Sequence, residues 1–554
     1  MNKKALLLLF AFPTIMALGT IGPKETKEAR AIDYWQTPCQ VKVVDETVLN
    51  SIIDPRADGN HEKSPGSGTY YKRETYNPKD RQWEGLVTVA VTGNRIWTAW
   101  YTGGVKEPDP FNYIAIAYSD DDGQTWVDPY IVIDHEDPEQ KGVCCNLPHL
   151  YVDNGDLIVQ YLSQYLYNVR IENPGAPSIN DLVIHDPVLI SDIKIHKAPT
   201  RLTDEDGKTI SVVAYETRVG FTENRGTTYI DVWDETTSKY VHRASLVSPN
   251  ASHRSWPESQ VVELERGKWL VASRIESGTN GGVEIAISND YGKTWGTYQD
   301  NQPEPFIGPG SKGHIMQLST GHILVVNHDT TSSRSSMCAY LSTDHGQTYP
   351  YKLSLDSRND VSYPSAFEKD GYIYIVWDKG RYTEKELRIS KITEQDIIDG
   401  EVTSSGSYEK RTINKLNDNY TDIVSIQNAY EKEYVVDVGT PSSRIRNQLP
   451  NSFTVIDSKG REHLLTGVWK SAGYKPDVEG KYYFNFVAEM SNYLEDPYHL
   501  LRVKVIVKKP EEKKNSDNNN NTALIVGLSV GGAVLAAGAV TGVVIGVKKK
   551  KKKA

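Results

Sequence analysis

An eight-residue phrase recurs at long intervals: SDDDGQTW at Ser119 to Trp126, SNDYGKTW at Ser288 to Trp295 and STDHGQTY at Ser342 to Tyr349. The shared pattern is S-x-D-x-G-x-T followed by Trp or Tyr. The last two copies start 54 residues apart and the first two 169 apart, about three times as far. A looser copy, TENRGTTY, occupies Thr222 to Tyr229 and divides the long interval into steps of 103 and 66 residues. A repeat of this period constrains the architecture before any single residue is interpreted, because each unit must be a supersecondary block that buries its face against its neighbours.

Each phrase follows a run with strand-like alternation, YIAIAYS, VEIAIS and MCAYLS. Within the phrase the Asp can accept from backbone amides of the turn, and the Gly can take positive φ. The phrase is therefore read as a hairpin staple rather than an active site. A four-stranded blade takes about 40 to 50 residues, so the spacing predicts a propeller. These phrases resemble the Asp boxes, or BNR repeats, of the sialidase family, and the resemblance implies six blades.

The ends of the chain carry different signals. MNKKALLLLFAFPTIMALGT, two lysines before an apolar stretch, reads as a secretory signal peptide over residues 1–19. Ala523 to Val547 holds 25 residues without a charge, enough at about 1.5 Å per residue to span a bilayer. Lys548 to Lys553 follow and place that flank in the cytoplasm. The expectation is a single-pass type I protein of the cell membrane, with a polylysine tail over 548–554. Gly527, Gly531, Gly538, Gly542 and Gly546 have the small-xxx-small spacing that permits a homodimer through the span. Residues 509–522, Asn-rich and charged, read as a stalk.

Composition supports an all-β reading: 33 Tyr and 11 Trp suit strands and sugar-stacking surfaces. A net charge of −10 argues against nucleic acid as partner. The four cysteines are Cys39, Cys144, Cys145 and Cys338, which allow one or two bridges in an oxidising compartment. Cys39 joined to one of the vicinal pair would tie the N-terminal segment to the second blade. No cluster of Cys or His calls for a metal, and no cofactor is expected. The repeats place the propeller over 35–415. From 424 to 508 short alternating strands separated by Gly, Pro and Asn turns read as a small β-sandwich that resembles bacterial Ig-like modules.

The segments between the boxes also resemble the sialidase family. PESQVVELERGKWLVASR looks like the family segment that carries a Glu and a clamp Arg, here Glu258 and Arg274. Arg334, just before the last box, falls where the family places another clamp Arg. DVSYPSAFEKDGYIYIVWDKGR resembles the nucleophile segment and implies Tyr363. Counting eight residues on from Tyr101 gives Asp109 as the acid/base, with Glu107 a near alternative on the same loop. The chemistry suits these residue types. A phenol needs an adjacent base to attack at neutral pH, and a guanidinium fork binds a carboxylate bidentately. The pattern breaks in RQWEGLVTVAV, where Trp83 stands at the family's first-blade Arg. Arg81, two residues away and on the same face of a strand, would substitute.

The resemblance implies a cell-surface exo-α-sialidase acting on sialylated glycans with retention of configuration. The alternatives are a sialidase-like lectin or adhesin without catalysis, or an exo-glycosidase for another acidic sugar.

Overall fold

The three phrases fold into one turn used three times. In the first, Asp121 Oδ1 accepts the N–H groups of Gln124 and Thr125 at 3.0 and 2.8 Å, and its Oδ2 accepts the Thr125 hydroxyl at 2.6 Å. Ser119 donates to the same carboxylate and accepts the Gly123 N–H, both at 2.8 Å. Asp290 and Asp344 make the same bonds to Thr294 and Thr348. The glycines sit at φ of 81°, 76° and 77°, where a Cβ would be strained. Bonds from Thr348 and Ser342 hold the Asp344 carboxyl at about 2. The looser phrase behaves differently. Thr227 onward already belongs to the strand Thr227–Asp234, so that phrase precedes a third strand instead of following one. In that blade the equivalent turn is capped by Asp234, which accepts the Thr236 hydroxyl at 2.6 Å.

The computed structural model describes residues 39–50 and 75–510, apart from 108, 110, 135–144, 164, 195–196, 219–225, 255–257, 277–281, 300–303, 472 and 489–493. Six antiparallel sheets succeed one another in chain order. Their first strands are Glu84–Thr92, Asn146–Asp153, Thr200–Thr203, Ser259–Glu265, His314–Gln317 and Val361–Lys369. Five of the six neighbouring pairs of first strands, all but those of blades 2 and 3, meet around the axis of the ring. The architecture is an all-β, six-bladed propeller.

An apolar cluster fills each seam between blades. Trp97 and Val159 meet between blades 1 and 2, Leu166 and Val213 between 2 and 3, Val212 and Val271 between 3 and 4. Leu270 and Val325 meet between 4 and 5, Val326 and Ile375 between 5 and 6, Val89 and Val376 between 6 and 1. Buried apolar area of this kind is the main driving force, about 25 cal/mol per Å². An additional strand, Gln40–Val43, pairs with the outer strand of blade 1, and a Cys39–Cys145 disulfide ties it to the start of blade 2. Cys338 is a buried free thiol.

Beyond the ring, the strand Glu462–Lys470 pairs through its first half with Ser452–Asp457 and through its second half with Gly480–Ala488. It thus passes from one layer to the other around a core of Phe453, Trp469, Phe484 and Val505. The module stands on the ring through buried charges. Arg358 meets Glu495 at 2.7 Å, Arg388 meets Asp422 at 2.6 Å, and Glu386 receives Arg358, Arg388 and Lys415. Glu386, Asp422 and Glu495 lie close enough to share an ion, but four cationic side chains already serve them.

No helix among the described residues is long and apolar enough to cross a membrane. This stands against the expected single-pass anchor and cell-membrane location. The signal-peptide segment, the stalk, the apolar run 523–547 and the lysine tail lie outside the described residues.

Two stability predictions follow from buried carboxylates. Glu386→Gln leaves three cations short of a partner. A loss of about 3–5 kcal/mol in denaturant unfolding is expected. Glu84 opens the first strand of blade 1 with no exposure, near Arg81 at 3.9 Å and Asn414 at 3.2 Å. Burial outweighs Arg81 and pushes its carboxyl up to about 8 from 4.5. The folded chain therefore keeps a proton that the unfolded chain has lost. Stability falls as pH rises through that window. Glu84→Gln is expected to raise Tm at pH 9 and to change it little near pH 4.

Candidate active site

Tyr363 lies near the start of the first strand of blade 6 and is 6% exposed. The pairing slips between Ser362 and Ser365, and Tyr363 takes φ of 52°. Positive φ at a bulky residue is sparsely populated and persists only where the surroundings hold it. Leu86 and Leu147 sit at φ of 57° and 48° in equivalent slips of blades 1 and 2. The bulge is therefore shared by blades 1, 2 and 6, and in blade 6 it aims a phenol at the axis.

Glu258 immediately precedes the first strand of blade 4, and Arg274 lies near the end of the strand paired with it. A hairpin brings both to one rim, where the Arg274 N–H donates to the Glu258 carbonyl at 3.3 Å. Arg274 Nη1 donates to Glu258 Oε2 at 2.9 Å and to the Tyr363 hydroxyl oxygen at 2.8 Å. Tyr363 and Glu258 are also hydrogen-bonded to each other. Arg334, just before the third strand of blade 5, lays its guanidinium 5.4 Å from the centre of the Tyr363 ring. Its carbonyl accepts the Val361 N–H at 3.0 Å, which fixes it to blade 6. Glu258, Arg274, Arg334 and Tyr363, spread over 106 residues of chain, thus share one pocket.

Arg81 is elsewhere. It follows a short 3-10 turn, Pro78–Asp80, and its guanidinium grips Asp128 at 2.9 and 2.7 Å and Tyr113 at 3.2 Å. It precedes the strand Glu84–Thr92, so the alternation that would place it on the face of Trp83 does not reach it. Another arginine points into the pocket. Arg381, in the turn after Tyr372–Lys379, lies 4.1 Å from the Tyr363 ring centre and 5.8 Å from Trp83. Asp378 holds it at 3.0 and 2.9 Å, and Glu107 at 3.0 Å. Nothing in the local sequence around Arg381 marks it beyond its position after a Gly turn. Lys312, 5.5 Å from the same ring, was equally unmarked.

Asp109 turns back into its own loop. Its Oδ1 accepts the Phe111 N–H at 2.9 Å, it is 1% exposed, and a Cβ on Gly104 would come within 2.4 Å of its carboxyl. The two candidate acids of this loop therefore differ in setting: Glu107 reaches blade 6 through Arg381, and Asp109 packs inward.

The electrostatics have a clear winner. Burial raises the Tyr363 hydroxyl well above the usual phenol range, and Glu258 adds to it. Arg274 and Arg381 only offset part of this. The phenol is neutral at any physiological pH and needs Glu258 to take its proton before it can act as a nucleophile.

The family model for the BNR repeat-like domain matches residues 94–375, about half of the chain. Among solved structures, the chain is similar to a Hadza microbial sialidase at 16% identity, covering 61% of this chain and 72% of that one with a TM-score of 0.45. It is similar to the NanB sialidase of Streptococcus pneumoniae at 12% identity, with coverages of 62% and 73% and a TM-score of 0.39. An intramolecular trans-sialidase from Ruminococcus gnavus shares 11% identity, with coverages of 58% and 96% and a TM-score of 0.40. None of the curated protein sequences compared with the chain matches it. With the family model spanning all three boxes and six blades observed around the axis, the chain belongs to the BNR repeat-like domain family.

Proposed function

We propose that this pocket makes the protein a retaining exo-α-sialidase. The observation that carries the reading is the join of Glu258, Arg274 and Tyr363 through contacts of 2.9 and 2.8 Å. Tyr363 Oη attacks the anomeric carbon while Glu258 accepts the phenolic proton. The bond to the aglycone oxygen breaks as Asp109 delivers a proton to it. Water then attacks the glycosyl-tyrosine, Asp109 takes the water proton, Glu258 returns its proton to the phenolate, and the sugar leaves with its configuration retained. Glu107 serves Arg381, so the acid/base role falls to Asp109, whose carboxyl must turn out of its inward packing to reach the aglycone oxygen. Arg274 and Arg334 form the clamp for the substrate carboxylate. Arg381 replaces Arg81 as its third member, standing over Trp83 where the family's own arginine is missing. The C-terminal module acts as an Ig-like spacer for the propeller.

A second reading has one observation in its favour. Glu107 already occupies Arg381. A lectin that holds an acidic sugar without cleaving it would tolerate such a blocked clamp.

Hydrolysis of a fluorogenic sialoside by the full-length chain decides between the two. Tyr363→Phe and Glu258→Ala are each expected to lower kcat by at least about 10²-fold. No turnover by the unaltered chain, with sialoside binding intact, would leave the lectin. Leaving-group dependence tests the acid. Asp109→Ala is expected to slow a natural lactose-type sialoside far more than the fluorogenic one, whose phenolate needs no protonation. Equal losses on both substrates, or the same selective loss in Glu107→Gln, would move the role off Asp109.

A further inference from the structure

One wall of the pocket is more basic than a single carboxylate requires. The connection from blade 4 to blade 5 enters as Gly310-Ser311-Lys312-Gly313 and becomes the first strand at His314. It lies tightly against its surroundings: a Cβ on Gly310 would fall 2.8 Å from the Glu276 carbonyl, and one on Gly313 would fall 3.1 Å from that of Val326. His314, 7% exposed, lines a cavity of about 20 Å³ with Glu258, Gln260, Arg274 and Asn327. Lys197 arrives from the connection into blade 3, and its ammonium donates to the Ile315 carbonyl, one residue beyond His314.

Lys197, Lys312, His314 and His149 are close enough for their charges to act on one another. Burial and then Lys312 push the Lys197 ammonium down to about 7. Burial, Lys197, Lys312 and His149 push His314 well below its ordinary range. Two polar groups on this wall, His314 Nε2 and the Ser311 hydroxyl, are buried without a hydrogen-bond partner among the described residues, as is Arg274 Nε. Buried polar groups are nearly always bonded. The orphaned Ser311 hydroxyl and Arg274 N–H, beside two lysines whose ammonium groups repel each other, are complementary to an anion, whose charge also favours a proton on His314.

We infer that Lys197, Ser311, Lys312 and His314 form a second anion subsite, which takes a compact oxyanion, a sulfate or a second carboxylate, carried on the glycan whose first carboxylate lies in the arginine clamp. The reading of the Tyr363 pocket supplies the carrier. The anion binding itself stands apart from it. A dianionic glycan is then favoured over its singly charged counterpart, because an ordered anion pairs donors that are otherwise left desolvated.

Calorimetric titration of the full-length chain with sodium sulfate, at constant ionic strength against sodium chloride, tests this directly. Saturable sulfate binding is expected, weakened about tenfold in Lys197→Met and again in Ser311→Ala, each checked for an unchanged melting curve. Arg334→Met is expected to keep the sulfate affinity within about twofold while losing a singly charged sialoside. On a glycan array, the unaltered chain is expected to prefer sulfated sialosides, and Lys197→Met to lose that preference. Equal sulfate affinity in the unaltered chain and both subsite variants overturns the subsite. So does loss of sulfate binding in Arg334→Met, which would put the ion in the clamp. Binding of free sulfate without a preference for sulfated glycans overturns the glycan as carrier. Each of these results leaves the role of Tyr363 untouched, and failure of sialoside hydrolysis leaves the sulfate titration interpretable.

Discussion

Asp378 is where closing the ring and building the pocket become one event. It is fully buried at the end of the second strand of blade 6. One carboxylate accepts the Leu86 N–H of blade 1 at 2.9 Å, the Ser362 hydroxyl beside Tyr363 at 2.6 Å, and both sides of the Arg381 fork. Charge-assisted bonds of this kind are the strong ones, and in a dry site they cost no reorganisation later. The residue that draws the last blade onto the first therefore also fixes the phenol's neighbour and the guanidinium above the phenol.

The strained backbone at Tyr363 has the same architectural origin. An outlier in a pocket invites a functional explanation, yet Leu86 and Leu147 share it in blades without that chemistry. In blades 1, 2 and 6 the first strand slips its pairing near its start, and whichever residue occupies the slip is presented to the centre. Function enters through the side chain placed there. Three cationic side chains besides Arg274 crowd the ring. Burial still outweighs them, which is why the site needs a carboxylate to move the phenolic proton.

Legibility in the sequence divided along the range of the interactions. The boxes were readable because every bond in them is made within four residues, so S-x-D-x-G-x-T carries its whole mechanism in one phrase. Glu258 and Arg274 were readable as a pair because one hairpin joins them. Arg381 was not, because what gives it meaning is Trp83 and Glu107, nearly three hundred residues away on another blade. Arg81 was misread because period-two alternation was extended through a 3-10 turn that does not obey it. The looser phrase at Thr222 marked the right blade and the wrong hairpin, since spacing reports the period of a repeat and not its phase. The wall of Lys197, Lys312 and His314 comes from two connections more than a hundred residues apart, and no local pattern announces it.

All four strands of blade 1 come from residues 84–134 and all four of blade 6 from residues 361–415. Among the described residues no strand is exchanged across that seam, and the one disulfide fastens blade 1 to blade 2 instead. The ring therefore has a clasp, made mostly of side chains, with one main-chain bond from the Glu84 N–H to the Arg381 carbonyl at 3.4 Å. Tension applied through the two ends of the chain would part the molecule there before it disturbed any interior blade. The pocket straddles that line, so its integrity reports on whether the circle is shut.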